Sequence, residues 1–125
     1  MNDRWNIEIA AEAAYEAIRS INHFTIFTGD GIPAPVLYRV LGELKTANGY
    51  GLNQALDQLA HGLERSLGTY DVYEDDGRDP QESISASVEA LHQAADLANQ
   101  IGVLLDQAQS AIARQGYRTE HIASV

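Results

Sequence analysis

Residues 80–115 read PQESISASVEALHQAADLANQIGVLLDQAQSAIARQ. Apolar side chains recur through them at Ile84, Val88, Leu91, Ala95, Ala98, Ile101, Leu105, Ala108 and Ile112, mostly in steps of four and three. That spacing is the seam of an α-helix packed along its whole length. The start is marked as clearly as the seam. Asp79-Pro80-Gln81-Glu82 offers a capping carboxylate, a proline at the first helical position, and a glutamate placed to reach back in a capping box. No proline follows, and Gly116 marks the end, so a helix over 80–115 is expected, roughly 50 Å long. No other single segment of the chain matches that length.

Upstream of this helix, residues 69–79 (TYDVYEDDGRD) form the most acidic stretch, with Asp71, Glu74, Asp75, Asp76 and Asp79 against Arg78 alone. Before it, Leu52, Leu56, Leu59, Leu63 and Leu67 make the stripe of a helix over 52–67 that stops at Gly68. Farther back, Pro33 or Pro35 opens a helix over 34–47, with Val36, Leu37, Val40, Leu41 and Leu44 on its apolar face. Between these two, Asn48-Gly49-Tyr50-Gly51 reads as a breaker, because Asn-Gly can supply the positive φ of a helix C-terminus. Only together do the two helices match the last one, so they are expected end to end against it. A first helix over 3–21 places Ile7, Ala10, Ala14, Ala17, Ile18 and Ile21 opposite Glu8, Glu12, Glu16 and Arg19. The short FTIF run that follows has no strand partner and is expected to continue the helix or pack irregularly. The fold class is therefore all-α: one domain over 1–125, an antiparallel bundle of about four helices with a long C-terminal helix. Helices two and three can merge into one kinked rod.

Composition narrows the function. With 18 acidic against 8 basic residues, the net charge of −10 disfavours a nucleic-acid partner and an anionic membrane surface. The absence of cysteine excludes disulfides, thiolate catalysis and Cys-based zinc sites. Asp3, Glu8 and Glu12 interrupt the N-terminal stretch, so no signal peptide is expected there, and a cytoplasmic location follows as the default.

Few residues suggest chemistry. An EF-hand built on Gly77 would put its first ligand at Val72 and its last at Ser83, and both fail. The acidic loop is thus expected to be a solvated turn. Tyr70 and Tyr73, with Glu74, Asp75 and Asp76, are the candidate protein-contact patch, although either ring could instead pack over the end of the bundle. Glu89-x-x-His92 has the shape of half a di-iron site, and Asp57 sits one turn before His61. If His61 and His92 face each other across antiparallel helices, Asp57, His61, Glu89 and His92 could hold a divalent ion; boundary histidines are the simpler expectation. Glu-x-x-Glu and Glu-x-x-Asp clusters, a Walker loop and a nucleophile elbow are all missing. No catalytic residue and no cofactor is expected. Gly42 and Gly102 inside helices point to close helix contacts, and Trp5 is expected to cap a core.

Residues 33–118, through VLGELKTANGYGLNQALDQLAHGLERSLGTYDVYEDDGRDP and AIARQGYR, resemble small helical proteins of actinobacterial chromosomes and mobile elements. The resemblance implies a bacterial cytoplasmic setting and no mechanism. Tyr70-x-x-x-Glu74 is also similar to the export tag of the WXG100 type VII secretion substrates. That tag follows a hairpin's second helix, whereas Tyr70 precedes the longest helix here, and the Trp-x-Gly turn is missing. The leading expectation is a non-enzymatic helical protein working through protein–protein association, including self-association as a homodimer. The alternatives are a metal-binding or metal-dependent bundle and a type VII-like exported protein.

Overall fold

The computed structural model describes residues 3–119, with side chains from Asn6 onward, and is all-helical over them. The chain divides into two units between Ile32 and Pro33. The first holds α1, Asp3–Ile26. It runs five residues past the expected end at 21, because nothing before Gly29 breaks it. Thr25 Oγ1 also donates back to the Ile21 carbonyl at 2.9 Å, satisfying the hydroxyl within the helix. From Asn6 onward every α1 side chain is exposed except that of Ile21, which is half-buried. The expected apolar side is thus not a buried one. The side chain of Trp5 lies outside the described residues.

The second unit begins with α2, Ala34–Leu44, capped by Pro33 with Pro35 in its first turn. No break follows. Residues Lys45–Gly51 continue as a π-helix, and α3, Leu52–Thr69, leads straight out of it. The expected helices two and three are therefore one rod, and the expected four helices become three. Asn48, Gly49 and Gly51 keep negative φ, so Asn-Gly does not turn the chain here. The wider π turn has a geometric reason. Core-facing positions run 37, 41, 45, 49 and 53, four residues at a step, and at 100° per residue such a series drifts around an α-helix. One turn closed by i→i+5 bonds takes up the extra residue and keeps the stripe aimed at one neighbour.

That neighbour is α4, Pro80–Ala111. Asp79 caps it as expected, its Oδ1 accepting from the Gln81 N–H at 3.0 Å. It stops four residues short of Gln115, with Ile112 and Ala113 donating into short i→i+3 bonds. Bonds between rod and helix run in opposite order along the two: Tyr38 carbonyl with Gln109 Nε2 at 2.9 Å, Lys45 Nζ with Asp106 at 2.6 Å, and Asn53 Nδ2 with the Ala95 carbonyl at 2.7 Å. The pair is an antiparallel hairpin, and these polar contacts set its register. The Asp106 carboxylate, by its hydrogen bond, holds the Lys45 ammonium above its ordinary 10.5. Its stabilising effect is therefore present through neutral pH and lost only as pH climbs through that raised value.

Midway along the hairpin the two backbones touch. A Cβ on Gly49 would stand 2.4 Å from Gly102 Cα, and one on Gly102 would stand 2.7 Å from the Tyr50 ring. Glycine is required at this crossing for space, not for a turn. A Cβ on Gly42 would likewise meet Gln109 Nε2 at 2.8 Å, so Gly42 and Gly102 both mark helix contacts as expected.

The buried set of α4 is Ile84, Val88, Ala95, Ala98, Gly102 and Gln109. This departs from the expected seam after Ala98. Gly102 and Gln109 face the rod, and Ile101 and Ala108 turn outward. Backbone contact at Gly49 demands the smallest residue, and the buried Gln109 amide bridges to Tyr38, so bulk and hydrophobicity lose to fit at both positions. The stripe of α3 departs in the same way. Ala60 is fully buried, while Leu52 and Leu59 are 37% and 48% exposed. The main cluster, Ala60 with Ile84 and Val88, lies toward the loop end of the hairpin and is flanked by Leu63, Leu67, Val72 and Leu91.

Candidate functional site

Two polar regions collect the candidate residues, and both belong to the hairpin. The first lies where α3 and α4 run side by side. The antiparallel register brings Asp57 opposite His92, and His92 Nδ1 meets Asp57 Oδ1 at 2.9 Å. A carboxylate can only accept, so Nδ1 carries the proton and the bond orients the ring. His61 completes the group, its ring edge-to-face with that of His92 at 6.1 Å between centroids. The two histidines thus do meet. Both partners of the Asp57–His92 pair are more than two-fifths exposed, so solvent screening limits its worth to about 0–1 kcal/mol.

A groove of about 560 Å³ opens beside this group. Glu89, the fourth candidate ligand, lines it together with His92, and Glu64 and Asp96 add two further carboxylates over a floor that includes Ile84 and Val88. No lysine or arginine lines it. The candidates are close in space without converging: among the described residues, no three His, Cys, Asp or Glu side chains are placed to hold a metal ion. Glu64 follows His61 at a spacing of three on α3, the reverse of the Glu89-x-x-His92 order, and Asp96 was not among the expected candidates, yet α4 carries a legible signal for Asp96. Gln81, Ser85, Glu89, His92 and Asp96 recur in steps of four and three, a polar stripe beside the buried one.

The second region is the loop after α3. Its backbone is organised around Gly77, which takes φ +79°, where an L side chain would be strained. Asp76 supports that turn: its Oδ1 accepts from the Arg78 N–H at 3.1 Å, and its Oδ2 lies 3.1 Å from Arg78 Nε. Glu74 is half-buried, its carboxylate accepting from Ser83 Oγ at 2.8 Å and tying the loop to the first turn of α4. Tyr70 and Tyr73 stand in solvent, and Asp75 and Asp76 are exposed with them. Packing of either tyrosine over the hairpin end, one of the two expected alternatives, does not occur. Val72 fills that place against the core cluster. With Val72 half-buried against that cluster, its neighbours Asp71 and Tyr73 stand in solvent.

Beyond these regions, the described residues include no helix long and apolar enough to cross a membrane. Comparison with protein-family models, with curated proteins and with solved structures gave no match.

Proposed function

We propose that this is a non-enzymatic helical protein that works by protein–protein association, in the first instance with a second copy of itself. One observation supports this reading above the others. The buried apolar side chains among the described residues are Ala34, Ala60, Ile84, Val88, Ala95 and Ala98, four of them alanines. Larger apolar side chains stay in water, with Leu97 58% and Leu104 62% exposed on α4. Burying a leucine contributes about 1.5–3 kcal/mol, so a hairpin that leaves several exposed gains further stability from a partner that covers them. A symmetric dimer is the commonest way to cover such a surface. A bacterial cytoplasmic setting belongs to the same proposal and rests on the resemblance of residues 33–118.

Thermal unfolding followed at increasing protein concentration tests this. Self-association predicts a Tm that rises with concentration, because mass action stabilises a folded dimer and not the unfolded chain. A Tm independent of concentration from micromolar to several hundred micromolar would remove self-association.

A further inference from the structure

The outward turn of Ile101 exposes a second stripe on α4. Ala90, Ala94, Leu97, Ile101, Leu104 and Ala108 recur in steps of four and three, and at 100° per residue they lie about 100° around the helix from the buried seam. Ala94 is half-buried and the other five are exposed. No charged residue interrupts the stripe. Glu89, His92 and Asp96 face the groove on the other side of α4, and Asp106 is held by Lys45.

The rod extends the same surface. Asp57 and Glu64 of α3 share the groove side with His92. In an antiparallel pair, side chains turned the opposite way around each helix share the opposite side. Leu52 therefore stands beside Leu97, and Leu59 beside Ala90 at the small end of the stripe. The hairpin thus has one acidic side and, on the opposite side, an apolar α4 stripe that carries no charge.

Resting on the reading of self-association above, we infer that the second copy docks on this apolar side, hairpin against hairpin, with the two α4 stripes antiparallel about a two-fold axis near Leu97. The stripe is complementary to itself in that arrangement. Its small end, Ala90 and Ala94, lies opposite the bulky end of the other copy, Ile101 and Leu104. The α4 stripe brings no charge of its own into the contact, although the chain carries −10 overall. The size also fits. The stripe from Ala90 to Ala108 is about 28 Å long, and two helices side by side are about 20 Å wide. That makes a face on the order of 600 Å² per copy, at the lower end of the range for stable interfaces.

The chain has no cysteine, so single cysteines can report the face. Ile101 and Val103 are 45% and 42% exposed in one chain, on different sides of α4, and a lone hairpin would let a maleimide label both positions alike. At concentrations where sedimentation shows a dimer, Ile101→Cys is expected to label at least tenfold more slowly than Val103→Cys, with the difference vanishing on dilution to monomer. A dimer in which both label alike, or in which Val103→Cys is the slower, overturns the face and leaves self-association standing. Protection of Ile101→Cys that persists in the monomer overturns it too, since the chain would then be covering its own face. A chain that is monomeric throughout removes both proposals. The double variant Leu97→Gln, Leu104→Gln should raise the dimer dissociation constant at least a hundredfold with helicity retained. Undiminished dimerisation would contradict the assignment, and if that variant fails to fold, the labelling pair decides.

Discussion

Gly49→Ala is expected to destabilise the hairpin by about 2–3 kcal/mol, although alanine is the better helix former by up to about 1 kcal/mol. The added methyl would stand 2.4 Å from Gly102 Cα and 2.7 Å from Gly102 N. Both obstacles are backbone, so no rotamer relieves the contact, and the two helices must part by more than an ångström. Separation there pulls on the Lys45–Asp106 and Asn53–Ala95 bonds that flank the crossing. Overpacking of this kind typically costs about 1–3 kcal/mol, and a purely backbone clash belongs at the upper end. Gly62→Ala makes the same chemical change in the same rod with the opposite expected sign. Its Cβ meets only Arg65 Nη2 at 4.0 Å, so stability should rise by up to about 1 kcal/mol. Urea denaturation of the two variants measures both. A stabilised Gly49→Ala would mean that the backbones are not in contact.

Ile84→Ala is expected to lower stability by about 2–4 kcal/mol. Ile84 is 6% exposed and forms the main cluster with Ala60 and Val88. Only Ile84 and Val88 in the buried apolar set are larger than alanine, so few neighbours can collapse into the space left behind. Against a total stability of about 5–15 kcal/mol, such a loss is large. It should be felt first at the loop end, where Val72 leans on the same cluster. Amide exchange across 70–79 should accelerate while that around Gly102 changes less. Ile101→Ala removes the same atoms from the same helix at a position 45% exposed in the single chain. It should cost the hairpin well under half as much and should instead weaken association. Equal destabilisation by the two variants would contradict the placement of the buried seam.

The start of α4 was legible because Asp79 and Pro80 act locally: a cap needs only its own backbone. The end-to-end placement of the rod was legible too, because length alone demanded two shorter helices against one long one. The π turn was not. Asn48-Gly49 carries local turn chemistry, and only the contact with Gly102 reveals that glycine is there for space. Selection of apolar residues likewise favoured Ile101 and Ala108 over Gly102 and Gln109, since hydrophobicity does not register a helix crossing that needs no side chain. That substitution hid the exposed stripe, which the 97–101–104 spacing otherwise announces.

Of the site residues, His61 and His92 could be brought together from sequence by assuming antiparallel helices. Their register, and hence the 2.9 Å contact of His92 with Asp57, depends on the π turn. In the acidic loop the composition drew attention to the tyrosines. The residue that packs on the core cluster is Val72 between them, half-buried, which a period of two would have indicated.

Sedimentation equilibrium at neutral pH tests the proposed association most directly. At micromolar concentrations and above, the mass should be twice the 13.6 kDa of one chain, falling toward one chain on dilution. A mass of 13.6 kDa maintained up to several hundred micromolar, in protein that is folded and helical, would contradict it.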